Sequence, residues 1–238
     1  MPPPRKQQKV RQNLDSKESI NFLIKSLQNN FKKQEKHIKK ELKQREIPQD
    51  LAIYLFLSDF IHKSKHYTPR NIKETSDFKT LFEYFTTLKY AHCGQKPYAL
   101  QLLLKEFNLE SRIISYSDTF GWAHGFLEIN AQGFWQILDP TFNLLFDIGV
   151  DKIIENPYCK RKILSLYSNE FYANSDHEKF LNTILDENFH TTFKYNKEWF
   201  SFMGFYPFVP PILTFTLVQD GKREVIYDIR KDSRYTFI

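Results

Sequence analysis

Residues 112–142 read RIISYSDTFGWAHGFLEINAQGFWQILDPTF, and the fold is decided within them. Three short runs in this stretch, RIISY (112–116), HGFLEI (124–129) and FWQIL (134–138), are rich in β-branched and aromatic side chains, which suit a pleated, half-buried strand. Asn130-Ala131-Gln132-Gly133 joins the last two as a hairpin-like connection. The segment therefore predicts an antiparallel sheet, with His124 near the start of one strand and Asp139 at the end of the next.

Upstream the pattern is helical. Asp15 with Glu18 three positions on resembles a capping box. Ile20, Leu23, Ile24, Leu27, Phe31, Ile38 and Leu42 then trace one narrow apolar stripe along a helix of about eight turns. Pro48 disfavours helical geometry at the residue before it, so the helix should stop near Glu46. Residues 1–14 read as a disordered tail. Leu51–His62 and Asp77–Tyr90 read as two further helices, with Pro69 in a loop between them. A fourth helix follows Cys93-Gly94, with Ala99, Leu102, Leu103 and Phe107 on one face and Asn108 as a left-handed cap.

Downstream, helical stretches are expected between Asp151 and Leu185. Trp199 to Gln219 contains no charged residue, long enough to raise a membrane span. Pro207, Pro210 and Pro211 oppose that reading, since an interior proline costs a helix about 3 kcal/mol. Leu213, Phe215 and Leu217 alternate with threonines ahead of Asp220-Gly221 and EVIYDI, which predicts a second hairpin. FMGFYPF before it is a candidate exposed apolar surface.

Composition narrows the class. The 238 residues are 41% hydrophobic and 26% charged, as in an ordinary globular protein with one good-sized core. Two cysteines, Cys93 and Cys159, are too few for a disulfide framework or a four-cysteine zinc site. The first twenty residues lack the apolar run of a signal peptide, so a cytoplasmic location is the default expectation. Charge is uneven: residues 1–50 carry 13 Lys/Arg against 6 Asp/Glu, and the rest carries 21 against 22. The basic character belongs to the N-terminal segment. Its lysines read either as a solvated face or as an arm for nucleic acid, an acidic partner or a membrane surface.

Three residues carry the chemistry. A cysteine at a helix N-terminus feels the positive end of the backbone dipole, which favours the reactive thiolate. Alone, each residue reads first as structural: Cys93 as a small buried hydrophobe, His124 as a strand residue, and Asp139 as the opening of an Asp-Pro turn. Together they follow the order of a thiol triad. The hairpin sets His124 and Asp139 on adjacent strands, and the helix brings Cys93 to them. His124 would then take the thiol proton while Asp139 holds the imidazole tautomer. His92 adjoins the nucleophile, but neighbouring residues on a helix face different ways, so it is set aside as a base. Pro97 removes an early helical hydrogen bond, so a late or distorted helix start is also expected.

HCGQKPYALQLLLKEFNLESRIISY, GWAHGFLEI and FWQILDPTF together resemble the transglutaminase-like superfamily, with its papain-related core. The resemblance covers about 50 residues, from His92 to Phe142. It implies an α+β fold with the nucleophile helix packed on an antiparallel sheet. It also implies Cys93 as nucleophile, His124 as general base and Asp139 as orienting acid, with no cofactor or metal. Asn108 departs from the family's usual glycine at the helix end. Gly125-Phe126 replaces a frequent Trp or Tyr two positions after the histidine. The Cys93 backbone N–H would be one oxyanion donor, and Tyr90 and Trp122 are candidates for substrate binding or a second donor.

The expected organisation is a basic tail and amphipathic helix (1–46), a catalytic core (47–195) and a C-terminal aromatic, proline-rich segment with a hairpin (196–238). The expected reaction is cysteine-dependent acyl transfer on amide bonds of a protein or peptide. Hydrolysis is expected ahead of transamidation, because nothing in the sequence signals a dedicated amine-binding domain. The alternatives are a catalytically inactive interaction module of the same fold and a nucleic-acid binder working through the basic arm.

Overall fold

A computed structural model describes residues 16–44, 46–67, 77–118, 123–155, 163–164, 212–219 and 221–232. The tail, Asp15, Pro69, Trp122, Cys159, the FMGFYPF stretch and residues 165–211 lie outside the described residues.

Helix α1, Ser16–Gln44, has the length its periodicity predicts. Ile24, Leu27, Ile38 and Leu42 are buried, and Ile20, Leu23 and Phe31 pack against the same core. Phe31 meets Phe56 at 5.5 Å between ring centroids. The chain leaves α1 through Glu46 in the left-handed conformation, φ 57°. There the Ile47 N–H donates to the Leu42 carbonyl and the Glu46 N–H to that of Lys43, which satisfies two carbonyls otherwise left open at a helix end.

Helix α2, Ala52–Ser64, buries Tyr54, Leu55, Phe56, Leu57, Ser58, Ile61 and His62, so it runs through the middle of the helical layer. The next helix, α3, is Leu81–Thr87, much shorter than the expected Asp77–Tyr90. Thr80 sets its start: its side chain accepts from the Glu83 N–H, and Glu83 accepts from the Thr80 N–H, a reciprocal capping, while Leu88, already extended, ends the helix before Tyr90. Tyr90–Ala91 beyond it is strand β2, paired in parallel with β1, His66–Tyr67. Helix α4, Gln95–Glu106, starts two residues after Cys93. Its buried stripe is Ala99, Leu100, Leu103 and Leu104, while Leu102 and Phe107 are only partly covered. Asn108 closes it at φ 55°.

The sheet is antiparallel, with β3 (Ser111–Asp118), β4 (Ala123–Ala131), β5 (Phe134–Asp139), β6 (Leu144–Phe146) and β7 (Ile163–Leu164) on one side. Strands β8 (Ile212–Gln219) and β9 (Lys222–Asp228) join along β3, giving the order β7-β6-β5-β4-β3-β8-β9. The β4–β5 connection is tighter than expected: Ala131 pairs with Phe134, leaving a two-residue turn in which Gln132 and Gly133 both have positive φ. Residues 212–219, inside the uncharged stretch that raised a membrane span, are a sheet strand. No helix among the described residues is long and apolar enough to cross a membrane. Within the region expected to be helical, Val150–Glu155 forms helix α5, whereas Ile163–Leu164 pairs with β6 as a strand.

Alternation divides β4 between two cores. Leu127, Ile129 and Ala131 face the helices with Leu138 and Leu145, while Phe126 lies with Ile114, Tyr116, Ile137 and Phe215 on the opposite side. The result is an α+β fold with a helical layer on one face of an antiparallel sheet.

Candidate active site

Asp139 ends β5 and is almost fully buried. Its Oδ1 accepts from the Thr141 N–H at 2.8 Å and, more weakly, the Phe142 N–H at 3.4 Å. Those bonds are the local Asx turn that Asp-Pro predicts. Oδ2 remains for the histidine. In the ladder Phe126 lies opposite Asp139, because Leu127 pairs with Leu138. His124 is thus a diagonal neighbour on the same face, within reach of a long side chain. Its Nε2 stands 2.6 Å from Oδ2. Phe142, Tyr116 and Phe126 surround the ring at 5.3, 6.0 and 6.4 Å between centroids, which holds its orientation.

With Nε2 committed to Asp139, Nδ1 is the nitrogen available to the sulfur. His124 and Cys93 are hydrogen-bonded through their side chains. Cys93 Sγ also lies 4.0 Å from the Ala123 carbonyl at the start of β4. Gly125 permits this approach: a Cβ there would stand 3.0 Å from the Cys93 carbonyl oxygen, closer than ordinary van der Waals contact.

Electrostatics favour the charge-separated pair. Burial pushes the Cys93 thiol up, but hydrogen bonds from His124 and His92, the His124 charge and the Gly125 N–H together bring it down to about 6. Burial pulls His124 down, and the Asp139 charge and hydrogen bond, helped by Cys93, push it up to about 10. Between those values the stable form is thiolate facing imidazolium. The depression comes from two imidazoles and the Gly125 strand N–H. Helix α4 begins at Gln95 with Gly94 as its capping residue, a late start of the kind that Pro97 foreshadows.

Neither a protein-family model nor a curated protein sequence matches the chain. Three solved structures resemble it weakly. LapG of Legionella pneumophila is 18% identical over 72% of this chain and 97% of its own, at a TM-score of 0.36. The calcium-bound form of LapG is 14% identical over 68% and 99%, at 0.35. A candidate cysteine protease of Cytophaga hutchinsonii is 19% identical over 46% of this chain, at 0.33. That last match spans 37% of the Cytophaga protein. The chemistry rests on the geometry above.

The structure thus brings Cys93, His124 and Asp139 together. Tyr90 sits on β2, three residues ahead of Cys93, with the Lys89 ammonium 5.0 Å from its ring centre. Trp122 lies outside the described residues. His92 reaches the sulfur after all, because it precedes the helix and the facing argument does not apply to it. Its Nδ1 accepts from the Gly94 N–H at 3.0 Å. A nitrogen that accepts carries no proton, so the neutral ring bears its hydrogen on Nε2 and is a donor to sulfur rather than a base. Gln95 steadies the turn, its side-chain oxygen accepting from the His92 N–H at 3.2 Å.

Two further groups escaped the sequence reading. Lys96, 1% exposed, donates from Nζ to the His62 carbonyl at 2.8 Å. The His62 Nδ1–H donates to the Pro140 carbonyl at 3.1 Å. Nothing local in the sequence marks either. Lys96 looks like any lysine in a first helical turn, and His62 like one on an apolar helix.

Proposed function

We propose that the chain is a transglutaminase-like thiol enzyme that transfers an acyl group from an amide of a protein or peptide, with water as the favoured acceptor. The observation that supports this reading most directly is His124 held by Asp139 through one nitrogen and facing Cys93 through the other.

In this mechanism the Cys93 thiolate attacks the amide carbonyl, forming a C–S bond as the carbonyl π electrons move onto oxygen. The Cys93 backbone N–H would receive that oxyanion, with the His92 Nε2–H as a candidate side-chain donor. Each such donor is commonly worth about 3–4 kcal/mol. His124 gives its Nδ1 proton to the leaving amine as the C–N bond breaks, leaving a thioester and a neutral imidazole. Water then attacks the thioester while His124 takes its proton, releasing the acid and restoring the ion pair. Asp139 stays ionised throughout and keeps Nε2 protonated, so that Nδ1 is the nitrogen that cycles.

The test is turnover of a quenched peptide library, with a fluorescent primary amine as competing acceptor. The expected result is peptide cleavage that is abolished in Cys93→Ala and outpaces amine incorporation. Amine incorporation as the dominant product would make the chain a transglutaminase. Equal cleavage in Cys93→Ala would overturn Cys93 as the nucleophile, and no cleavage or amine incorporation by the wild-type chain would leave the non-catalytic module.

One surface supports a separate binding role for the basic helix. Lys32, Lys36, Lys39, Lys40 and Lys43 line an open groove on α1 with Glu35 and Gln49. Such a stripe suits an acidic or polyanionic partner, whose binding would weaken steeply with salt. Salt-independent binding, or none, would return these lysines to a solvated face.

A further inference from the structure

Lys96 is a buried charge among the described residues that the mechanism does not use. It lies in the first turn of α4 at 1% exposure, where an ammonium loses most of its hydration. Its hydrogen bond falls on the His62 carbonyl, in the last turn of α2. A cation is welcome at such a helix end. A cap of this kind works equally well from an exposed lysine, so it does not account for the burial. What burial adds is proximity to Asp139. The carboxylate's charge acts on Lys96 directly, and the His62 ring whose carbonyl Lys96 holds is bonded to Pro140, the residue after Asp139.

The facing groups settle the charge count. From α2 comes His62, which burial and the Lys96 charge lower to about 4, so it is neutral. From β5 comes Asp139, with His124 of β4 behind it. Thiolate, imidazolium and carboxylate carry one net negative charge. The thioester stage, with neutral cysteine and imidazole, carries one net negative charge as well. A protonated Lys96 brings both stages to neutrality.

We propose that Lys96 is a positioning residue that balances the charge of the Cys93–His124–Asp139 set and thereby holds Cys93 as thiolate. This rests on the reading of Cys93 as nucleophile, and the test separates the two. The rate of Cys93 alkylation by iodoacetamide is followed against pH in the wild-type chain, in Lys96→Met, in Asp139→Asn and in the double variant. Loss of the cation should raise the thiol's midpoint by about one unit, which at pH 6 cuts the thiolate fraction by roughly fivefold and, because the more basic thiolate is the better nucleophile, slows alkylation by about twofold. In the Asp139→Asn background the same substitution should change the rate much less, because the carboxylate through which Lys96 acts is gone. A wild-type midpoint near 9 would overturn the nucleophile reading itself. A low wild-type midpoint that Lys96→Met leaves in place, or an effect undiminished beside Asp139→Asn, would overturn the role of Lys96 alone.

Stability supplies a second readout, on the charge of Lys96 itself. Burial lowers Lys96 from 10.5 to about 7, against the pull of Asp139. Between those values the unfolded chain binds more protons than the folded one, so this group makes stability rise with pH across the window. Lys96→Met should flatten that rise and be less destabilising at pH 6 than at pH 10. A thiol midpoint left unchanged beside any loss of stability is the signature of a cap and refutes the proposal. Should Lys96→Met fail to fold, Lys96→Gln keeps a donor while removing the charge and carries the same comparisons.

Discussion

Replacing His124 by alanine tests the ion pair through a reversal rather than a simple loss. The thiol's ordinary value is 9.0, and the folded site brings it to about 6. If His124 supplies that depression, alanine returns the thiol toward 9. At pH 6 the wild-type cysteine is then about half thiolate and the variant about 0.1%, roughly a 500-fold difference in the reactive form. A less basic thiolate is also a poorer nucleophile. With a Brønsted coefficient of about 0.45, three units of pKa cost the wild-type thiolate roughly 20-fold in intrinsic rate. The net expectation at pH 6 is wild type faster by about 25-fold, and at pH 9 the variant faster by about 10-fold. The two profiles should therefore cross between about pH 7 and 8. Stopped-flow alkylation with iodoacetamide, read by mass spectrometry at Cys93, gives both curves. Parallel curves that never cross, or a wild-type midpoint above about 8, would refute the assignment of the depression to His124.

Three other substitutions probe the site and its scaffold. Asp139→Asn should fold normally, since its carbonyl can still accept from Thr141, but the amide N–H group cannot accept from Nε2. The proton is then driven to Nδ1, and turnover should fall by about 10³–10⁴; a loss below tenfold in peptide cleavage would refute the orienting role. Glu128 is completely buried, takes two bonds from Arg112 at 2.7 Å and accepts from the Val150 N–H at 2.6 Å. Glu128→Ala strands a partly buried guanidinium and a backbone donor, so urea denaturation should show a loss of about 3–5 kcal/mol, and a loss under about 1 would show that water rescues the pair. Gln132 sits at φ 56° in the β4–β5 turn, where asparagine is better tolerated, so Gln132→Asn should raise stability by about 0.5–1 kcal/mol; a lower midpoint would mean that the Gln132 side chain itself supports the turn.

The parts legible in the sequence are those set by short-range rules. β4 and β5 show because period-two alternation and a Gly-containing turn act over a few residues, and α1 shows because its stripe repeats for 29 residues. The short α3 was hidden by periodicity continuing past a real stop. Thr80 and Glu83 cap one end, and Leu88 is already extended at the other, details that outweigh the apolar pattern over one or two turns. Lys96 and His62 could not be read at all. Their meaning comes from α2 and α4 packing side by side next to the Asp139 turn, a contact between residues 34 positions apart.

Asp139 shows why the bland and the chemical readings of one residue need not compete. A turn needs one acceptor oxygen and a histidine needs the other, and a carboxylate has both. Thr141 takes Oδ1 and His124 takes Oδ2. The same turn that ends β5 therefore fixes the carboxylate's plane, and that plane decides which imidazole nitrogen is left for sulfur. His92 follows the same logic from the other side, since the Gly94 N–H on its Nδ1 removes it from competition as a base. The local backbone bonds of two turns, one before α4 and one after β5, assign the proton-transfer roles of two histidines. The division of labour at Cys93 is thus a consequence of turn geometry, with burial of the ring pair strengthening what those bonds select.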